Sequence, residues 1–220
     1  MQTNHIKESV ATIIESLPPH IQLVAAAKTR TPDEVRCAVQ AGVTIIGYNY
    51  VQEAEEMFSH IGHVVHWHLI GHLQRNKAKQ AIRLFDMIET IDSLRIAEAV
   101  DRHCADIDKI MPVLIEVNSG KESNKTGVLP EHVDDLVRET SLLKHLRIQG
   151  AMTMGPRFGN PEESRPYFKA TKAAFDRLAQ AELENVEIKY LSMGMSNSYK
   201  IAIEEGANIV RIGTKLFGER

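Results

Sequence analysis

The chain has 220 residues, 43% of them hydrophobic, with 26 Lys and Arg against 29 Asp and Glu for a formal charge of −3. That length supports one substantial core and is short for two, so a single domain over 1–220 is expected. The small negative charge argues against general attraction to nucleic acid, and no apolar run approaches the ~18 residues of a membrane span.

Residues 1–20 lack the order of a signal peptide, because Glu8, Glu15 and Pro18-Pro19 interrupt them. Cys37 and Cys104 fall in separate helical stretches without a CxxC pattern, as two reduced thiols would. A soluble cytoplasmic protein is expected, with no nucleic-acid or membrane partner.

In chain order, a helical pattern at 3–16 precedes the first short apolar run at 23–28. Further strand-like runs follow at 44–47, 64–70, 87–90, 112–117, 146–152, 188–193 and 209–213. Helical periodicity falls between them, near 33–41, 50–59, 75–84, 93–105, 131–139, 164–181 and 197–205. The clearest case is 164–181, where Tyr167, Phe168, Ala170, Ala174, Phe175, Leu178 and Ala181 share one stripe. The stretches Asn118–Pro130 and Gly155–Pro161 read as loops, the first of them polar and mobile.

Strands alternating with helices imply a parallel sheet, since parallel neighbours need crossover connections. Eight such units in this length predict a closed (β/α)8 TIM barrel with an extra N-terminal helix; an open doubly wound sheet is the alternative. A barrel carries its chemistry at the C-terminal strand ends, often with phosphate held after strands 7 and 8.

Lys28 ends the first run and shares a strand face with Val24 and Ala26. Desolvation there lowers a lysine's pKa and frees its amine for a carbonyl carbon; the bland alternative is a lysine that reaches out into water. Two Gly-containing turns at the far end, Ser192-Met193-Gly194-Met195-Ser196 and Arg211-Ile212-Gly213-Thr214, suit an anion. Ser196 reads as an N-cap for the helix at 197–205. Together the lysine and the turns point to a Schiff-base cofactor with a phosphate tail.

Arg211 alternates in phase with Ile209 and Gly213 and should face the barrel interior. It stays protonated and needs an acceptor, either a ring nitrogen of a bound cofactor or a carboxylate such as Glu116. A ring nitrogen held by Arg211 remains unprotonated, which handicaps carbanion chemistry.

His66 and His68 share a strand face but lack a carboxylate or cysteine at ligand spacing, so no metal site is expected. His68 should line the barrel and His72 its mouth. Arg75, Lys79 and Arg83 form a basic helix stripe, a solvated face or else a partner surface. Gly120–Gly127 has its glycine and lysine in the wrong order for a phosphate-binding P-loop.

These residues match a known family. AAAKT around Lys28, NYVQEA at 49–54, WHLIGHLQRNK at 67–77, NKTG at 124–127, LSMGMS at 191–196 and VRIGTKLFG at 210–218 carry the likeness. On them the chain resembles the pyridoxal phosphate homeostasis (PLP-binding) proteins, small single-domain relatives of the fold-type III alanine racemase barrel. The resemblance implies pyridoxal 5'-phosphate (PLP) held as an internal aldimine on Lys28. It also implies phosphate near Ser196, Gly213 and Thr214, Arg211 at the pyridine nitrogen, and Asn49 beside the ring.

Two positions depart from the family's pattern: Tyr48 stands where glutamate is usual, and Asn197 where an acidic residue often follows. The family implies a non-catalytic carrier or regulator in vitamin B6 and amino-acid homeostasis, with PLP-dependent apoenzymes as possible recipients. Racemase relatives add a second domain bearing a tyrosine acid/base, for which this length leaves no room. Tyr48, Tyr50 and Tyr199 are the tyrosines near the expected mouth, none of them suitably placed. A monomer is expected, because no helix shows a second apolar face. The alternatives are a weak PLP-dependent amino-acid racemase or lyase, and an aldolase-like barrel in which Lys28 attacks a sugar phosphate.

Overall fold

The computed structural model describes residues 2–123, 125–155 and 159–219. Asn124 of the NKTG block and part of the loop at 155–161 lie outside the described residues. The strands are β1 Gln22–Ala26, β2 Ile45–Tyr48, β3 His66–Leu69, β4 Met87–Ile91, β5 Met111–Glu116, β6 Leu146–Met152, β7 Val186–Ser192 and β8 Ile209–Ile212. Each pairs in parallel with its sequence neighbours, and β8 returns to β1, closing the barrel in chain order. The open-sheet alternative is thereby overturned.

The helices are α1 Gln2–Ser16, α2 Pro32–Gln40, α3 Val51–Ile61, α4 Ala78–Leu84, α5 Leu94–Ala105, α6 Val133–Thr140, α7 Arg165–Leu178, α8 Tyr199–Glu204 and α9 Thr214–Phe217. Local chemistry starts α2 sharply: Thr31 and Glu34 form a reciprocal capping box, with Pro32 at the first helical position. None of the described helices is long and apolar enough to cross a membrane.

Strand alternation divides the core in two. Val24, Ile45, Ile70 and Ile209 pack inside the barrel, as do Met87, Leu114 and Met152. The opposite phase, including Ile46, Tyr48, Trp67 and Leu191, packs beneath the helices. Tyr48 is fully buried there, stacked on Trp67 at 5.9 Å between ring centroids. It therefore faces away from the barrel mouth.

Two expectations need correction. β1 ends at Ala26, so Lys28 stands in the turn beyond the strand. The helix expected at 75–84 breaks into a 3-10 turn, Arg75–Lys77, followed by α4. Its basic stripe is split as a result: Arg75 lines a mouth cavity, whereas Lys79 and Arg83 line a groove against Val51, Glu55 and Phe58 of α3. The polar loop after β5 carries local hydrogen bonds. The Asn118 amide donates to the carbonyls of Glu122 at 2.8 Å and Lys125 at 3.3 Å, while Val117 bridges Val128.

Candidate functional site

Strand register assembles the mouth. Val24 pairs with Arg211 across β1 and β8, and Ala26 pairs with Gly47 across β1 and β2. Two residues further along each strand bring Lys28 level with Asn49 on one side and the turn after Gly213 on the other. Lys28 and Asn49 are both half-buried. The next residue, Thr29, has φ 62°, a left-handed conformation that is costly for a β-branched side chain. Its amide donates to the Glu53 carboxylate on α3, which holds that turn. On the other side, Arg30 donates to the carbonyls of Phe217 at 3.3 Å and Gly218 at 2.5 Å. The lysine turn is therefore tied to the segment after β8 as well as to α3.

The two glycine turns meet through one hydroxyl. Ser196 Oγ accepts the backbone N–H of Gly213 at 3.2 Å and that of Lys215 at 3.4 Å. This corrects the expected N-cap: α8 begins later, with Ser198 at the capping position, and Ser198 Oγ accepts the Met195 amide at 3.3 Å. Gly194 has φ +87°, and a Cβ there would lie 2.6 Å from Ala202 Cβ. Only glycine lets the chain fold back this tightly onto α8. A Cβ on Gly213 would lie 3.2 Å from the Ala26 carbonyl, so the β8 turn rests directly on the end of β1. Thr214 follows as the exposed first residue of α9. Lys28, Ser196, Gly213 and Thr214 are thus brought to one side of the mouth.

Below the mouth lies a polar layer. Arg211 faces inward as expected, but its principal partners are not Glu116. Nη1 donates to Ser192 Oγ at 2.5 Å, and Nη2 donates to the Thr153 carbonyl at 2.7 Å. Ser192 in turn donates to Glu89 Oε2 at 2.6 Å, and His68 Nδ1 lies 2.7 Å from Glu89 Oε1. Burial alone would raise the Glu89 carboxyl; His68, Arg211 and Ser192 together bring it below its ordinary value. Burial lowers the Arg211 guanidinium, and the Glu89 and Glu116 carboxylates oppose that shift.

Glu116 closes the top of β5 at 4% exposure. Its Oε1 accepts the Thr126 hydroxyl at 2.8 Å, whereas Oε2 is buried without a partner among the described residues. Burial raises this carboxyl above its usual range.

Sequence reasoning missed Glu89, Ser192 as a partner of Arg211, and Glu53. The signal for Glu89 was a lone acid inside Met-Ile-Glu-Thr-Ile, in phase with inward Met87. His72 lies at the mouth as expected, with Nδ1 3.1 Å from Asp92 Oδ2, beside a cavity of about 510 Å3. Of the tyrosines, Tyr50 is 66% exposed and Tyr199 is buried beneath Lys215. Among the described residues no group of three or more His, Cys, Asp or Glu could hold a metal ion.

The family model for the alanine racemase N-terminal domain matches residues 1–220. The pyridoxal phosphate homeostasis protein of Aquifex aeolicus is 40% identical over 200 residues, which is 90% of this chain and 87% of that protein. Its Synechocystis counterpart is 33% identical over 210 residues, 94% of this chain and 95% of that one. The solved structure of PipY from Synechococcus elongatus with PLP bound superposes with a TM-score of 0.88 at 32% identity, covering 97% of this chain and 100% of that one. Alanine racemase from Clostridium difficile shares the fold at 18% identity and a TM-score of 0.80, and this chain spans 60% of it. The chain belongs to the alanine racemase N-terminal domain family and, within it, to the pyridoxal phosphate homeostasis proteins.

Proposed function

We propose that this protein holds PLP as an internal aldimine on Lys28 and acts, without catalytic turnover, as a carrier or regulator in vitamin B6 and amino-acid homeostasis. One observation carries the reading. The register of β8, β1 and β2 brings the half-buried Lys28 between Asn49 and the turn after β8, whose Gly213 and Lys215 amides both donate to Ser196 of the turn after β7. The residues fit the group: the half-buried Lys28 offers an amine beside a turn whose Gly213 and Lys215 backbone N–H groups already converge on one oxygen, Ser196 Oγ. Asn49 makes no side-chain hydrogen bond among the described residues, so its amide is available to a ring substituent. When bound, PLP supplies an electrophilic carbonyl carbon and a conjugated ring.

In this reading Ser196, Gly213 and Thr214 hold the phosphate, where backbone N–H groups satisfy anionic oxygens. Arg211 donates to the pyridine nitrogen from below. The PLP-bound PipY structure, similar over its full length, supports the choice of cofactor. Among the described residues the large exposed apolar side chains are Ile14, Tyr50, Val64, Leu142 and the pair Ile107 and Ile110 of the α5–β5 connection, on five different parts of the chain. That scatter favours a monomer; in this reading it works in the cytoplasm and passes its aldehyde to PLP-dependent apoenzymes.

The test is absorbance near ~420 nm with intact mass before and after borohydride, on wild type and Lys28→Ala. A yellow wild type that gains one reduced PLP, beside a colourless variant, is expected. Equal colour in both would end the proposal.

A weak amino-acid racemase or lyase is the second reading. One observation favours it: Glu116, a buried carboxyl with a free oxygen at the top of β5, could move a proton there. It requires turnover that depends on both Lys28 and Glu116 and exceeds the rate of free PLP.

A further inference from the structure

Glu89, Ser192 and Arg211 come from β4, β7 and β8 and converge inside the barrel, with relative exposures of 0%, 0% and 3%. Their hydrogen-bond directions follow from chemistry. An ionised carboxylate only accepts and a guanidinium only donates. The single Ser192 proton therefore goes to Glu89 Oε2 at 2.6 Å, and the Ser192 lone pair receives Arg211 Nη1 at 2.5 Å. Glu89 is held from its other oxygen by His68, and Arg211 from its other arm by the Thr153 carbonyl. The closest direct approach of Arg211 to Glu89 is 3.8 Å, so the serine hydroxyl mediates the contact.

A fully buried guanidinium without a partner charge is strongly destabilising. That alone accounts for an acid in the vicinity. It does not account for a serine interposed between them, or for a histidine that stops Glu89 from turning. A direct bidentate pair would satisfy the charges and consume two N–H groups of Arg211. The relay uses one; the Thr153 carbonyl at 2.7 Å and the Met154 thioether at 3.7 Å take those of Nη2, which leaves Nε–H and the second Nη1 hydrogen to spare.

We infer that Glu89 is a positioning residue: acting through Ser192, it locks Arg211 in the orientation that turns a spare guanidinium N–H toward the barrel mouth as the donor to the ring nitrogen of PLP. The inference rests on the reading of Arg211 given under the proposed function. A donor that is always protonated keeps that nitrogen an acceptor. Mere countercharge would act differently, because removing the serine hydroxyl leaves both charges in place.

The test loads wild type, Glu89→Gln, Ser192→Ala and Ser192→Thr with PLP labelled with 15N in the ring. It reads the ring-nitrogen resonance against pH and the rate of PLP loss to excess hydroxylamine. Wild type should show a hydrogen-bonded, unprotonated nitrogen whose resonance is constant across neutral pH. In Ser192→Ala and Glu89→Gln the resonance should shift and titrate, with loss about tenfold faster, as one forfeited hydrogen bond to a charged group implies. Ser192→Thr, which restores the hydroxyl, should return the wild-type signal. If Glu89→Gln does not fold, Ser192→Ala decides. A loaded Ser192→Ala protein with the wild-type resonance would overturn this inference alone, whereas a wild type that takes up no PLP would overturn the proposed function with it.

Discussion

Ser196 Oγ receives the Gly213 amide at 3.2 Å, so a single side chain joins the turn leaving β7 to the turn leaving β8. Because Gly213 rests on the Ala26 carbonyl, the same contact reaches the root of the Lys28 turn. Three strand ends therefore share one polar junction, and each can be disturbed separately.

Replacing Ser196 by Ala removes the hydroxyl at this junction. Affinity for PLP should fall about tenfold, the loss typical of a hydrogen bond to a charged group. Affinity for pyridoxal, which has no phosphate, should be unchanged. Spectrophotometric titration with both ligands measures this; equal weakening would exclude Ser196 from the phosphate end.

Gly194→Ala and Gly213→Ala should separate clearly in urea unfolding. The first puts a side chain on a residue with φ +87° and within 2.6 Å of Ala202 Cβ, so a loss of about 2 kcal/mol or more is expected. The second meets the Ala26 carbonyl at 3.2 Å without a positive φ, and the loss should be smaller. Equal midpoints for the two variants would refute the strain argument.

Tyr48 buries its hydroxyl without a hydrogen-bond partner among the described residues. Burial, with the Glu53 charge assisting, raises this phenol far above its usual range, so it stays neutral. Tyr48→Phe removes an unsatisfied polar atom and should leave stability unchanged or raise it by about 1 kcal/mol. Thermal unfolding checks this, and a clear loss would mean that the hydroxyl has a partner after all.

Glu116 ties stability to pH with a definite sign. Its carboxyl is raised above the ordinary 4.5 in the folded state, so the folded protein binds this proton more tightly than the unfolded chain. Its contribution is fully present below that ordinary value. It declines as pH rises through the interval up to the raised value, and stays lost above it. Glu116→Gln abolishes the proton and should gain on wild type from acid to neutral pH. Urea midpoints for both proteins over that range provide the measurement, and parallel curves would contradict the assignment.

The pattern of eight strands and their helices was readable because it is local: apolar spacing sets period, and glycine, proline and capping residues set the ends. The inward-facing Arg211 followed from strand phase, since alternation alone sets the side on which it lies. The role of Ser196 did not: it read as a helix cap, whereas its hydroxyl accepts the Gly213 and Lys215 amides of a turn far along the chain. The basic stripe failed for a related reason, since the 3-10 turn at Arg75–Lys77 rotates Arg75 away from Lys79.

By itself, then, the amino-acid order determined the barrel and the side of each strand on which a residue lies, since both depend on near neighbours. Which acid answers Arg211 was decided only by closure. Glu89 and Glu116 both face inward, but inter-strand register and the intervening Ser192 bring one into hydrogen-bonded reach and leave the other with an unpaired oxygen. Register is a property of the closed sheet, set by the packing of all eight strands, and no local stretch of the chain encodes it.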